Sequence, residues 1–459
     1  MSEEEKKQDE LQERREARRK RRIRNQIMAY SVVLLAVVLV AVGILSLISA
    51  VSKMPKKPNN SSYEVVRSSE RETESDEEPT ETEPEETESS SEVEESSSEP
   101  ESTETVVEDP YQKKLDEIVN AYIEAMPLED KVAGLFMVTP EILTGVGPVT
   151  KAGPSTKDAL GKYAVGGILY RSQNVKNTDS FSTMITNTLE YTRNPLFLAI
   201  EEEGGSVTQL SKANLGVKTD SAKKIAETGD VKNAYNAGAA IGGYLKDFGI
   251  TINFAPVADL ACIEKSVVAE RSYGNDANTV YEFVKNAMNG MSDQGITPCV
   301  KHFPGMGSVT TDTEKGVAKS ERSEADFWAN ELALYHKLVD DKVPMIMVSN
   351  MAAPNLVGDN TPCSLSDKVV TKILRQELGY DGLVITDALN EKAVSQYYSA
   401  EEASIMALKA GCDMILCPED FKQAYEGVQK AVKEGTISEE RVNDALRRIY
   451  RIKFADRVE

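Results

Sequence analysis

The sequence predicts an α/β fold, a (β/α)8 TIM-like barrel preceded by a transmembrane helix and a disordered acidic stalk. Three observations carry this. Eight short apolar runs recur between residues 132 and 417 with helical patterns between them, an uncharged stretch occupies 27–51, and a stretch rich in Ser, Thr, Glu and Pro fills 52–109. Near-continuous apolar strands alternating with helices indicate a parallel sheet covered on both faces, and eight such units within 110–459 fit a barrel. An open, doubly wound sheet is the alternative. Its nucleotide-binding versions lack their phosphate loop here, because no GxGxxG follows an early strand and no GxxxxGK[ST] occurs.

Taken in order, residues 1–26 form a basic segment that includes Arg14, Arg15, Arg18, Arg19, Lys20, Arg21, Arg22 and Arg24. The 25 uncharged positions that follow, 27–51, are enough to cross about 30 Å of hydrocarbon at about 1.5 Å per residue. The positive-inside rule then keeps the N-terminus cytoplasmic and places the remainder outside the cell membrane. A cleaved signal peptide competes with this reading, but the apolar run exceeds the usual h-region and Ile48 stands at the −3 position of the plausible site Ala50. Residues 52–109 hold almost no large apolar side chain, so they cannot offset the entropy of ordering and should be disordered. Self-repulsion extends such a linker.

Charge is distributed unevenly along the chain. Residues 1–63 carry 13 Lys and Arg against 7 acids, 64–109 carry 2 against 20, and 110–459 keep −10 of the whole-chain −22. An acidic C-terminal part lacks the basic footprint of a nucleic-acid binder, so no nucleic-acid partner is expected. Two His exclude a His-rich metal site. Five Cys without a CxxC pair, an odd number, do not make a disulfide framework and read as small buried hydrophobes.

The eight apolar runs cover 132–138, 165–170, 196–201, 250–259, 296–303, 344–350, 382–389 and 412–417, with helical stretches at 232–249, 278–295 and 367–379 among those between them. A helix over 437–455 closes the chain, its Arg447, Arg448, Arg451 and Lys453 reading as the charge of a solvated face. Barrel active sites form where strands end and βα loops begin. The polar residues there are Tyr170 and Arg171, Glu201 to Glu203, Asp259, Lys301 and His302, Asn350, and Asp387. Two carboxylates flanking a glycosidic bond are what glycoside hydrolysis requires, and Asp387, Asp312, Glu314 and Glu201 to Glu203 are the candidates. Without GxSxG, HExxH or a spaced His set, acyl transfer and zinc chemistry have no support.

Six blocks, AIEEEGG (199–205), GITINFAPVAD (249–259), ERSYGND (270–276), KHFPGMGSVTTDTEKG (301–316), YDGLVITDAL (380–389) and AGCDMILC (410–417), resemble glycoside hydrolase family 3. Within it the likeness is to single-domain β-N-acetylhexosaminidases acting on murein-type glycans. The resemblance implies a retaining double displacement on a glycan substrate, with no cofactor and no metal. It makes Asp387 the nucleophile, Lys301, His302 and Arg271 substrate-binding residues, and Glu201, an Asp in the family, the partner of outer hydroxyls. The family's Asp-x-His loop reads Asp312-Thr313-Glu314 here, which makes Glu314 the acid/base and Asp312 its neighbour. Further departures are Ser206 and Gln209, where the family has Arg, and Met306, where it has His. The expected function is a membrane-anchored extracellular exo-glycosidase releasing terminal N-acetylglucosamine. The alternatives are a β-glucosidase-like enzyme, whose relatives usually take their acid/base from an additional domain for which a chain ending at Glu459 leaves no room, and a catalytically impaired glycan-binding protein.

Overall fold

The computed structural model describes residues 109–458. Eight parallel strands form one sheet: β1 Phe136–Val138, β2 Gly167–Leu169, β3 Phe197–Ile200, β4 Ile252–Asn253, β5 Thr297–Phe303, β6 Met345–Val348, β7 Leu383–Thr386 and β8 Ile415–Leu416. Neighbours in sequence are neighbours in the sheet, and β8 pairs back onto β1, Phe136 opposite Ile415. An isolated parallel bridge between Ile385 and Met414, with Thr386 N–H donating to Met414 O, ties β7 to β8. The sheet thus curls into a barrel and leaves no long unpaired edge.

Each strand lies inside one of the expected apolar runs. The strand residues are all buried except Thr297, which fits strands covered by helices outside and packed side chains within. The run 250–259 is shorter as a strand than its composition suggests. Pro256 has no N–H to give a ladder, so pairing stops at Asn253 and resumes as the single bridge Val257–Lys301. The expected helices appear as Lys232–Asp247, Ala277–Ser292 and a π-helical Lys368–Glu377. The first two pack closely because of glycine: a Cβ on Gly290 would lie 2.2 Å from Tyr235 O.

The last helix, Glu439–Lys453, departs from expectation. Its basic residues are not a solvated face. Arg448 bonds Asp381 at 2.8 Å, Arg451 bonds Asp116 at 2.6 Å, and Lys453 Nζ donates to Gly166 O and Pro195 O. The buried residues spaced at three and four along this helix, Val442, Ala445, Leu446, Ile449 and Tyr450, pack it against the helices Pro110–Glu124 and Leu128–Ala133, and the cations between them reach partners on other elements.

Asp109, expected as the end of the linker, caps the helix Pro110–Glu124, its carboxylate accepting from Tyr111 N–H at 3.0 Å. The basic segment 1–26, the span 27–51 and the rest of the linker lie outside the described residues. Among the described residues no helix is long and apolar enough to cross a membrane. All five Cys are free, four of them buried and Cys262 half-buried.

Candidate active site

Strand ends aim the functional side chains. Successive residues of an extended chain point to opposite sides, and the triplet after β3 shows it. Glu202 points away from the mouth. Its carboxylate accepts from the backbone N–H groups of Gln209, Leu210 and Ser211 at 2.6 to 3.1 Å and from the Tyr244 hydroxyl at 2.9 Å, so it fixes a loop. Glu201 and Glu203 point the other way, to Lys301 on β5, whose Nζ lies 2.5 Å from Glu201 Oε1 and 2.7 Å from Glu203 Oε1. Arg271 grips Glu203 with two bonds, 2.8 Å from Nε and 2.6 Å from Nη2. Burial opposes the charge of Glu203, but Arg271 and Lys301 outweigh it and hold this carboxyl well below the usual range. The same contest leaves Glu201 lowered by Lys301, and Lys301 itself raised by the two acids against its own burial.

His302, next in the chain, turns Nδ1 to Asp259 Oδ2 at 2.7 Å, leaving Nε2 for a ligand. Asp259 is wholly buried. Its charge survives burial through His302 and the N–H groups of Met306 and His302, which keep its pKa low. The loop after Phe303 presses against the β4 extension, and only glycine fits at Gly307, where a Cβ would lie 1.3 Å from Leu260 O.

Glu201, Arg271, His302, Asp312, Glu314 and Asp387 line one cleft of about 80 Å3 at the C-terminal mouth, together with Arg171, Met306, Thr313 and Glu391. Six of the seven residues singled out from the sequence therefore converge. The seventh, Lys301, has no exposed surface. It stands behind the lining as the counter-ion of Glu201 and Glu203 rather than on the wall.

Asp387 follows β7, with one carboxylate oxygen accepting from Ala388 N–H at 2.8 Å. Burial raises its pKa and the nearby His302 draws it back. Glu314 sits on the loop after β5 in a turn that Asp312 makes, Oδ1 accepting from Glu314 N–H at 3.0 Å. Much of Glu314 faces solvent. Partial burial first, and then the charge of Asp312, nonetheless raise its carboxyl above the ordinary range, while Arg171 pulls the other way.

Sequence reasoning missed Glu391. It lies four residues beyond Asp387, lines the cleft, and takes a hydrogen bond from Asn350 Nδ2 at 2.9 Å. Burial, then the charges of Asp387 and Glu314, push its pKa well above the carboxylate range. Both members of the Asp387–Glu391 pair are raised by burial, Glu391 the further because the charge of Asp387 adds to it, whereas His302 draws Asp387 back. The signal available in the sequence was an acid four positions after the candidate nucleophile in a βα turn. Arg171, noted only as a strand-end residue, also lines the cleft, and its Nε is buried without a hydrogen-bond partner among the described residues.

An eight-stranded parallel barrel with carboxylates in unlike environments around one mouth is the arrangement of a glycoside hydrolase. Residues 127–452 match the family model described as the glycosyl hydrolase family 3 N-terminal domain, and the chain belongs to that family. Among characterised relatives, the β-hexosaminidase LpqI of Mycobacterium tuberculosis is 30% identical over 268 residues, 56% of this chain and 68% of that protein. The β-hexosaminidase A of Pseudoalteromonas piscicida is 26% identical over 339 residues, 66% of this chain. This chain spans little more than half of that relative, 56% of its length. Among solved structures, a family 3 β-N-acetylglucosaminidase from a Paenibacillus species superposes with a TM-score of 0.67 at 31% identity, over 73% of this chain and 63% of the other.

Proposed function

We propose that the barrel is a retaining exo-acting β-N-acetylhexosaminidase that removes terminal N-acetylglucosamine from a glycan. The observation that carries the reading is the meeting of Asp387 and Glu314 in one cleft at the C-terminal mouth of the barrel. The Paenibacillus structure is of a β-N-acetylglucosaminidase, and the two curated relatives are named β-hexosaminidases, which supports this sugar class.

In the first step protonated Glu314 gives its proton to the glycosidic oxygen while an Asp387 carboxylate oxygen bonds to the anomeric carbon, and the aglycone leaves as an alcohol. In the second step Glu314, now a carboxylate, takes a proton from water as the water oxygen attacks the anomeric carbon and releases Asp387. The acid must begin protonated near neutral pH, and the raised pKa of Glu314 serves that. The nucleophile must begin charged. Glu391 supports this by holding the proton that the two neighbouring carboxyls would otherwise share. Glu201, kept ionised by Lys301, accepts hydrogen bonds from hydroxyl groups of the sugar, and His302, oriented by Asp259, offers Nε2. Arg271 acts through Glu203, fixing the wall on which Glu201 stands.

The same reading places the enzyme on the cell surface. Residues 27–51 serve as a single-pass anchor with the N-terminus cytoplasmic, and 52–109 as a stalk that carries the barrel to wall-derived or other extracellular glycans.

A panel of p-nitrophenyl glycosides assayed with the full chain in detergent tests the activity. The N-acetyl-β-glucosaminide is expected to be the preferred substrate. Preference for the β-glucoside would overturn the sugar assignment, and glycan binding without turnover of any member would make the protein a glycan receptor.

A further inference from the structure

Glu314 stands on a largely exposed loop, yet a general acid works only within hydrogen-bond reach of the glycosidic oxygen. Something must hold that loop still. From Thr310 to Val317 one residue alone is buried, Thr313 at 2% exposure, while Asp312 and Glu314 on either side of it keep contact with solvent. Thr313 is seated on the loop after β7. Its carbonyl accepts from Ala393 N–H at 3.1 Å, and its hydroxyl bonds the Glu391 carboxyl.

The seat leads back to the nucleophile. Asn350 Nδ2 donates to Glu391 Oε2 at 2.9 Å and to the carbonyl of Ala388, the residue after Asp387, at 2.8 Å. Asn350 is buried, and its own side-chain oxygen accepts from Ser364 Oγ at 2.6 Å, so it is held from a third side. Thr313, Glu391, Asn350 and Ala388 thus form an unbroken chain of contacts from one catalytic loop to the other. On the Glu314 side the turn closes around Thr313. Asp312 Oδ1 accepts from Glu314 N–H at 3.0 Å, and Asp312 O accepts from Lys315 N–H at 2.9 Å. A side chain needed only to fill this space could be Val, which has the same shape; the hydroxyl is used for the bond to Glu391. Misplacing a reacting group by about 1 Å costs on the order of 10²-fold in rate, so the seat of this one residue bears on catalysis.

We infer that Thr313 is a positioning residue: by bonding Glu391 and Ala393 it ties the loop bearing Glu314 to the loop bearing Asp387 and sets the spacing of the two carboxyls. The inference rests on the roles proposed for Asp387 and Glu314 and adds the contact that keeps them in register.

The test uses the full chain and two substrates that differ in their need for an acid, N,N′-diacetylchitobiose and 2,4-dinitrophenyl N-acetyl-β-glucosaminide. Thr313→Val keeps the volume and removes the hydroxyl. It should lower kcat for the disaccharide roughly 10- to 100-fold with KM little changed, and leave the first step with the dinitrophenyl substrate nearly as fast as in wild type. Thr313→Ser, which restores the hydroxyl, should recover most of the loss. Because Thr313 acts through Glu314, adding Thr313→Val to Glu314→Ala should cost nothing further. Hydrogen exchange gives a reading independent of chemistry: peptides covering 310–316 and 390–396 should exchange faster in Thr313→Val and return to the wild-type rate in Thr313→Ser. Equal losses on both substrates, no loss on either, or a further loss in the double variant overturns the inference. Should Glu314→Ala alone lose equally on both substrates, the acid/base assignment falls instead, and unchanged exchange in Thr313→Val would then overturn the positioning contact as well.

Discussion

Replacing Glu391 by Gln isolates the proton that the cleft stores. The change preserves shape, and the Gln carbonyl can accept from Asn350 Nδ2 as Glu391 Oε2 does at 2.9 Å. What it removes is a titration. The charged groups facing Glu391 are Asp387 from the end of β7, Glu314 from the loop after β5 and Arg171 from the end of β2. Burial, with the two acids, raises the folded-state pKa well above 4.5, against the pull of Arg171. A carboxyl raised on folding contributes its full stability below the unfolded-state value and loses it as pH climbs through the folded-state value. The loss runs at up to about 1.4 kcal/mol per pH unit. Gln does not titrate and escapes it. Wild type and Glu391→Gln should therefore melt together near pH 4.5 and diverge as pH rises, the variant gaining about 2 °C per unit for a barrel of this size. Scanning calorimetry in matched buffers from pH 4.5 to 8 reads this directly. A difference in Tm that is the same at every pH would refute the raised pKa and, with it, the account of how Asp387 keeps its charge.

Glu314→Ala should slow glycosides with poor leaving groups by roughly 10²–10⁴-fold, the usual worth of acid–base assistance. Aryl substrates that need little protonation should suffer far less, and azide should speed the second step; equal losses across leaving groups would remove Glu314 from that role. Asp312→Asn deletes the charge that helps raise Glu314, so the limb of the kcat/KM profile on which the acid loses its proton should move to lower pH with activity retained. An unmoved limb in a pH-rate series would assign that limb to another group. Protease added to intact cells should release the barrel by cutting within 52–108; a fully protected barrel on immunoblots would place it on the other side of the membrane.

The barrel is legible in the sequence because its strands are buried on both faces, which makes each of them a short uninterrupted apolar run, and because strand ends fix where Glu201, Lys301, His302 and Asp387 point. Alternation alone separates Glu201 and Glu203 from Glu202 once the end of β3 is known, and the sequence does not mark that end to the residue. Glu391 was missed for a different reason. It lies in a turn beyond the strand, where no periodicity fixes direction, and its burial is decided by Asn350 and Thr313 from two other loops. The cations of the last helix misled in the same way. Lys453 sits at a spacing that reads as solvent-facing, and its acceptors, Gly166 O and Pro195 O, belong to residues more than 250 positions away.

The central claim is that Asp387 forms the glycosyl–enzyme bond, and mechanism-based trapping tests it most directly. Incubated with a 5-fluoro N-acetylglucosaminyl fluoride, which slows hydrolysis of the intermediate more than its formation, the enzyme should gain one sugar mass. Tandem mass spectrometry should place that mass on Asp387 in a peptide containing Thr386 and Asp387, and Asp387→Ala should gain none. Labelling at Glu391 or Glu314, or an unlabelled enzyme that still turns over, would contradict the account.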